Sequence, residues 1–314
     1  MTTDLDSTPS PNSTSLDSGS RDYPDRVLRL AGSLNLRDVG GYPAAGGRRV
    51  RRRTLLRSAA LHGLGDEARA VLAQLAVHTV VDLREDSEAA HEPNALGRLP
   101  ITTRRVPIFS DGTPGSASFA GALPTPAATD PAETTPGSDP GTRPGSGAAA
   151  ADGARAARAA GAGGTLRDIY TFILDTRGDR LAAAVLAVAE PGALPAIVHC
   201  SAGKDRTGLT VMLILDLLGV PDEIIAADYA LTAELLGEEA RAAIRRLSAT
   251  AAGQEPADLP KDLMSSPPEL ILAALARVRA GHGSARGYLR AHGATDEALN
   301  ALVEALLVDE DPAE

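Results

Sequence analysis

The stretch PAIVHCSAGKDRTG, residues 195–208, decides the fold and holds the only cysteine of this 314-residue chain. Its first half is a short apolar run with β-branched residues, which is typical of a buried strand. A loop containing Gly203 follows, and then an almost entirely apolar segment, 207–218, which predicts a helix buried at the centre of the domain. The sequence therefore predicts a strand, a tight loop and a helix N-terminus in direct succession.

A loop of this kind favours anion binding, because backbone N–H groups converge on its centre and the helix dipole adds positive potential. Arg206, at the end of the loop, can bind two phosphate oxygens through its guanidinium group. Cys200 stands at the start, where the same positive field favours a thiolate. The residues alone thus predict a loop that binds a phosphate group and directs a sulfur nucleophile at it.

The rest of the ordered chain alternates strand and helix patterns, which predicts an α/β domain. TVVDLR at 79–84 and RRVPI at 104–108 are typical of strands. Thr165 is a candidate N-cap for a helix whose apolar face includes Leu166 and Ile173. Further helices are predicted at 66–75, 85–91, 179–189, 222–236, 238–247, 268–280 and 295–307.

Three segments have compositions that cannot form a packed core. Their composition predicts a disordered tail at residues 1–22, a mobile low-complexity insert at 111–164 and an acidic tail at 309–314. The prediction is a single domain at 23–308, interrupted by the insert. Much of the formal charge of −10 lies in the two termini, so it indicates solubility more than a class of partner, and no nucleic-acid partner is expected.

The single cysteine excludes an intramolecular disulfide and any zinc site built on cysteine pairs. No basic region followed by an apolar one marks a signal peptide. The longest strongly apolar run, 209–220, contains Asp216 and is too short to span a bilayer. These features predict a cytoplasmic protein.

The segment HCSAGKDRTG, 199–208, resembles the active-site loop of the Cys-dependent protein tyrosine phosphatase superfamily, which has the form H-C-(five residues)-R-[S/T]. The AGKDRTG version is similar to a bacterial tyrosine/serine (dual-specificity-like) branch, of which a mycobacterial phosphatase is typical. NLRDVGGY at 35–42, LLRSAAL at 55–61, ADYALTAE at 227–234 and GYLRAHG at 287–293 are similar to further segments of that branch. The resemblance implies a central, mostly parallel sheet flanked by helices, with the phosphate loop between a strand and a buried helix.

It also implies hydrolysis of phosphomonoesters in two steps, without a cofactor or metal. Cys200 is then the nucleophile and Arg206 stabilises the transferring phosphoryl group. Thr207 hydrogen-bonds the thiolate, and His199 orders the loop. The substrate-binding residues are those of the loop itself, namely Ser201, Ala202, Gly203, Lys204 and Asp205.

The sequence does not decide which residue donates a proton to the leaving group. Asp82, at the end of a predicted strand, is the first candidate because it matches the acid of the similar branch, whereas its alternative is an ion pair with a nearby arginine. Asp205 and Asp111 are the other candidates. Related loops with a basic residue at the position of Lys204 accept highly charged substrates such as phosphoinositides, although a solvated surface lysine is the alternative.

Several segments have both a structural and a functional interpretation. Asn35, Arg37 and Asp38 either line the site or form a hydrogen-bonded turn before the glycines at 40 and 41, and the turn is favoured. RRVRRR at 48–53 predicts a solvated edge strand, with contact to an anionic membrane or phosphopeptide as the alternative. In the similar branch a helical lid covers the site, so the insert at 111–164 is a candidate lid, although its pattern is weakly amphipathic.

Other functions fit less well. A sulfurtransferase or an arsenate reductase also uses a cysteine in an anion-binding loop, but the reductase requires a resolving cysteine that this chain lacks. The remaining alternative is a catalytically idle phosphate-binding module. The prediction is a monomeric protein tyrosine phosphatase, whose partners are phosphorylated proteins or phosphoinositides, with membrane-surface contact as an open question.

Overall fold

The computed structural model describes residues 26–109, 165–252 and 265–309, with 239–252 described by their backbone only. The main sheet has the strand order β1-β3-β6-β4-β5, and β2 and β7 form a separate ribbon. The strands are β1 (Arg37–Asp38), β2 (Arg48–Val50), β3 (Leu55–Ser58), β4 (Thr79–Asp82), β5 (Thr102–Arg105), β6 (Ala196–His199) and β7 (Leu307–Asp309).

The sheet is mostly parallel, as predicted. Strand β6 lies at its centre and pairs in parallel with β3 on one side and β4 on the other. Strand β5 continues the parallel set, and only the short β1 runs antiparallel to its neighbour β3. Parallel strands need crossover connections, so helices cover both faces of such a sheet, and the inner strands β3, β4 and β6 are buried along their whole length, whereas the edge strand β5 is mostly exposed.

The helices described are α1 (Asp66–Gln74), α2 (Asp86–His91), α3 (Leu166–Thr176), α4 (Gly178–Ala189), α5 (Asp205–Leu217), α6 (Asp222–Ala252), α7 (Pro268–His282), α8 (Ala285–Ala291) and α9 (Asp296–Leu306). Alternation along the strands separates two cores, because successive side chains point to opposite faces. Leu56, Val80 and Ile197 pack with α1, whereas their neighbours Leu55 and Val198 pack with the larger group of helices that follows β5.

The buried helix predicted at 207–218 is confirmed as α5, and every residue from Asp205 to Leu215 along it is buried. It follows β6 directly and contacts α4, α7 and α8 as well as the sheet. A helix that is buried on all sides cannot move independently of its surroundings. The loop before α5 is therefore held in place at the point where it joins the helix.

The predicted helices at 66–75, 85–91, 179–189, 268–280 and 295–307 are confirmed to within two or three residues at their ends. The two predicted at 222–236 and 238–247 are consecutive parts of α6, which bends at Gly237 with φ +67°. The predicted strand at 104–108 begins earlier and ends at Arg105.

The edge strand expected within RRVRRR is β2, whose partner β7 includes Asp309. The tail at 1–22, the insert at 111–164 with its candidate lid and Asp111, and residues 310–314 of the acidic tail lie outside the described residues. Those predictions therefore stay predictions.

Candidate active site

The loop begins where β6 ends. His199 is the last strand residue, Cys200 follows, and α5 starts at Asp205. Cys200 is 3% exposed and Arg206 is 1% exposed, so the predicted nucleophile and the predicted phosphate ligand lie at the bottom of the loop and not on its rim. Ser201 and Ala202 are the more open loop residues.

The back of the loop touches the end of β3. Gly203 has φ +66°, and a Cβ atom placed on it would lie 2.2 Å from the carbonyl oxygen of Ser58. Only glycine fits such an approach of two backbones, which explains the glycine at this point of the motif. The amide of Ala60 donates to the carbonyl of Ser201 at 2.9 Å and joins the same two segments.

Arg206 is fixed by Glu88, which the sequence analysis did not identify. Its Nη1 and Nη2 donate to Oε2 and Oε1 of Glu88 at 2.6 and 2.9 Å. The hydroxyl of Ser201 donates to the same carboxylate at 2.5 Å. Burial alone would raise the pKa of Glu88, but the charge and hydrogen bonds of Arg206 lower it, so the carboxylate stays ionised.

The position of Glu88 has a signal in the sequence. It is the N3 residue of α2 and forms a reciprocal capping box with Glu85, accepting the Glu85 amide at 2.7 Å. The stretch EDSE at 85–88 is therefore a recognisable helix start. That this start lies against the loop depends on tertiary structure, since 118 residues separate Glu88 from Arg206.

A family model described as "Tyrosine phosphatase family" matches residues 28–308. This chain belongs to the tyrosine phosphatase family. The triple specificity protein phosphatase PtpB of Mycobacterium tuberculosis is 27% identical over 90% of this chain and 99% of its own. A putative tyrosine-protein phosphatase of Cupriavidus necator is 28% identical over 82% of this chain and 80% of its own. A tyrosine-protein phosphatase of Nostoc commune is 34% identical, but the match spans only 37% of this chain and 40% of that protein.

In this family member, Asp82 lies beside His199 in the paired strands β4 and β6. Its carboxylate accepts from Nε and Nη2 of Arg84 at 3.0 and 2.8 Å and from the side-chain amide of Asn94 at 3.2 Å. Nη1 of Arg105 lies 2.9 Å from Oδ2. Asp82 is 1% exposed. Its carboxylate is thus enclosed by cationic and amide groups.

Burial alone would raise the pKa of Asp82, but positive neighbours hold it well below its usual value. At neutral pH the relevant neighbour is the Arg84 guanidinium, because His199 is then uncharged. A carboxylate in this state carries no proton to donate near neutral pH. The role of Asp82 as proton donor therefore stays a prediction, and its surroundings favour the ion-pair alternative.

His199 is fully buried, and burial lowers its pKa to about 4 although Asp82 acts in the opposite direction. Its Nδ1 lies 3.1 Å from the carbonyl oxygen of Cys200. Because a carbonyl only accepts, this nitrogen is the donor, and the neutral ring holds the peptide that follows the nucleophile. Its Nε2 lies 3.7 Å from Asp82 Oδ2, which is beyond a hydrogen bond.

Lys204 is 1% exposed, so the solvated-surface alternative is wrong. Its Nζ donates to the carbonyl of Ser265 at 3.0 Å and lies 3.2 Å from Oδ1 of Asp205. The same oxygen accepts the Tyr170 hydroxyl at 2.8 Å, and Tyr170 in turn contacts the Tyr229 hydroxyl at 2.7 Å. The Asp205 carboxylate is 5% exposed and is oriented by the hydrogen bond from Tyr170 and the ion pair with Lys204.

The hydroxyl of Thr207 is buried and has no hydrogen-bond partner among the described residues. Its predicted bond to the Cys200 thiolate is not formed in this structure and stays a prediction. Asp38 accepts the amides of Gly40 and Arg53 at 2.8 Å each, which is the hydrogen-bonded turn favoured from the sequence.

The arginine-rich segment at 48–53 contacts the turn at residues 40 and 41, since Nη1 of Arg49 donates to the carbonyl of Gly41 at 3.2 Å. Arg48 pairs with Glu304 at 3.2 Å, and Arg51 donates to the carbonyls of Ala305 and Leu307. Across the described ranges, no helix has the length and apolar character needed to cross a bilayer. Within those same ranges, no group of histidine, cysteine or acidic side chains is arranged to hold a metal ion.

Proposed function

We propose that this chain is a protein tyrosine phosphatase that hydrolyses phosphomonoesters through a phosphocysteine intermediate. The observation that carries the proposal is the placement of Cys200 and Arg206 at the two ends of one loop at the N-terminus of the buried helix α5. The loop amides and the guanidinium together supply the positive, preorganised surroundings that a transferring phosphoryl group needs.

In the first step the Cys200 sulfur attacks phosphorus, an S–P bond forms, and the bond to the ester oxygen breaks. Arg206, fixed by Glu88, binds the phosphoryl oxygens. Because its orientation is set before the substrate arrives, little reorganisation is needed in the transition state. In the second step water attacks phosphorus, the S–P bond breaks and phosphate leaves.

The leaving oxygen of the first step takes up a proton, and Asp205 is the proposed donor. Its carboxylate belongs to the loop and is adjacent in sequence to Arg206. The deprotonated carboxylate then accepts the proton of the attacking water in the second step. Asp82 is assigned the positioning of His199 and Arg84, because guanidinium groups of Arg84 and Arg105 contact its carboxylate, whereas the one ion pair that the described residues give Asp205 is with Lys204 through Oδ1.

The proposed substrate is phosphotyrosine in proteins, with phosphoserine, phosphothreonine and phosphoinositides as further members of the test panel. The name of the Mycobacterium tuberculosis relative, a triple specificity phosphatase, supports including them. A monomeric cytoplasmic protein remains part of the proposal, with membrane-surface contact left to the same panel.

The test is phosphate release from para-nitrophenyl phosphate by EDTA-treated wild type and by Cys200→Ser. We expect turnover by wild type and none by the variant, since a serine hydroxyl is a far weaker nucleophile than a thiolate. Circular dichroism and orthovanadate binding by both proteins show whether the variant keeps its fold and its anion site.

Equal turnover by the two proteins would contradict the cysteine mechanism. Vanadate binding by wild type without turnover on any substrate of the panel would favour the idle phosphate-binding module.

A further inference from the structure

A fully buried polar network lies behind the loop and is separate from the residues that meet substrate. Its centre is Asp228 of α6, which is 2% exposed. Oδ1 of Asp228 accepts Nε of Arg37 at 3.0 Å, and Oδ2 accepts Nη1 of Arg57 at 2.6 Å. The hydroxyl of Tyr42 donates to Oδ1 at 3.1 Å. One carboxylate of helix α6 thus joins strand β1, the segment that follows β1, and strand β3.

Two arms of this network reach the loop. Nη2 of Arg57 donates to the carbonyl of Gly203 at 2.8 Å. Nη1 of Arg37 donates to Oδ1 of Asn35, which fixes the orientation of that amide. Nδ2 of Asn35 then donates to the carbonyls of Ala202 and Gly203 at 3.1 and 3.0 Å.

These arms determine where the loop amides point. The carbonyl of Ser201 accepts the amide of Ala60, so the carbonyls of Ser201, Ala202 and Gly203 all face backward. In a trans peptide the N–H group points away from the carbonyl of the same unit. The amides of residues 202, 203 and 204 therefore face forward, as a nest that binds an anion requires.

We propose that Asn35, Arg37, Arg57 and Asp228 are positioning residues that hold the phosphate loop in its anion-binding conformation. They act through the loop carbonyls and touch neither the nucleophile nor the phosphoryl group. The inference rests on the proposed function and deepens it, because it assigns a role at the same site to the segments NLRD, LLRS and ADY. None of these residues is assigned a part in the chemistry.

The matched pair of variants is Asn35→Ala and Thr232→Val. The Thr232 hydroxyl accepts Nη2 of Arg37 at 3.1 Å and belongs to the same network, but among the described residues this side chain forms no hydrogen bond to the loop. Both variants lose buried hydrogen bonds, but only the first removes hydrogen bonds to the loop, namely those from Asn35 to the carbonyls of Ala202 and Gly203. Asn35→Asp is the second loop variant, because a carboxylate keeps the contact with Arg37 but donates nothing to a carbonyl.

The readouts are orthovanadate affinity and the rate at which iodoacetamide alkylates Cys200 at mildly acidic pH, together with the denaturation midpoint. Cys200 is the only cysteine, so alkylation reports this site alone. Both Asn35 variants are expected to bind vanadate about tenfold more weakly and to alkylate more slowly, because the amides that stabilise negative charge lose their orientation. Thr232→Val is expected to lower the denaturation midpoint while vanadate affinity and alkylation stay at wild-type values.

Asn35 variants that match Thr232→Val in every readout would overturn the proposal, since the network would then be merely structural. Failure of the proposed function is a different result, namely wild type without turnover on any substrate. The alkylation comparison still decides the role of the network in that case. If Asn35→Ala does not fold, Asn35→Asp carries the test.

Discussion

Asp82 and Asp228 are two buried carboxylates on opposite sides of the central strand β6, and each lies between two guanidinium groups. Asp82 contacts Arg84 and Arg105 beyond β4, and Asp228 contacts Arg37 and Arg57 next to β3. In both cases burial alone would raise the pKa of the aspartate, but the neighbouring cations hold it well below its usual value.

The two clusters differ in what they connect. Asp228 is linked through Arg57 to the loop carbonyls, and both of its arginine side chains are at most 1% exposed. On the loop side, the neighbour of Asp82 is His199, which lies next to Cys200. The side chain of its other partner, Arg105, is 30% exposed and also binds Asp86. Similar chemistry therefore has different consequences. The Asp228 cluster supports fold and anion site together, whereas the Asp82 cluster can share its charge with solvent.

The largest effect is expected from Asp228→Asn. The substitution leaves two buried guanidinium groups without their shared counter-charge, which should cost about 3–5 kcal/mol of unfolding free energy. Urea denaturation at neutral pH measures this cost. The matched control is Asp175→Asn, which breaks a surface pair with Arg277 whose side chains are 44% and 48% exposed, and should change stability by less than about 1 kcal/mol. Similar losses in the two variants would show that the Asp228 cluster has no special weight.

The next prediction distinguishes the roles of Asp82 and Asp205 by comparing the rates of their variants on substrates with poor and good leaving groups. Asp205→Asn should slow hydrolysis of phosphotyrosine about 10²-fold and of para-nitrophenyl phosphate much less, because only the poorer leaving group requires a proton. Asp82→Asn should slow both substrates by the same factor, since it acts through His199 and Arg84. Steady-state rates on the two substrates decide between them. A selective loss in Asp82→Asn would instead identify Asp82 as the proton donor.

The sequence predicted the parts of this molecule that depend on local order. The strand, loop and helix around Cys200 are contiguous, so periodicity and glycine placement suffice to predict them. The sequence did not predict the roles of Glu88 and Asp228, because each is connected to the loop by a contact between residues far apart in the chain. The burial of Lys204 was not predicted for the same reason, since its partner Ser265 lies 61 residues further along the chain. The short strand β1 is defined by pairing with β3 and carries no strand pattern of its own.

The smallest effect concerns the pH dependence of stability on the Asp82 side. Burial lowers the pKa of His199 to about 4, whereas an unfolded histidine titrates near 6.5. Between these values the unfolded chain binds a proton that the folded chain does not, so stability falls as pH decreases through this window. The contribution of this one group is at most about 1.4 kcal/mol per pH unit. Asp82, Arg84 and Arg105 are the charged groups that influence this titration.

His199→Gln should remove that part of the slope, because glutamine does not titrate and its amide can still donate to the carbonyl of Cys200. Urea denaturation of wild type and variant across mildly acidic to neutral pH measures the difference in slope. The control is His78→Gln at an exposed position, which should leave the slope unchanged. If His199→Gln keeps the wild-type slope, the acid sensitivity belongs to the carboxylates, and the neutral imidazole is not what distinguishes the Asp82 side from the Asp228 side.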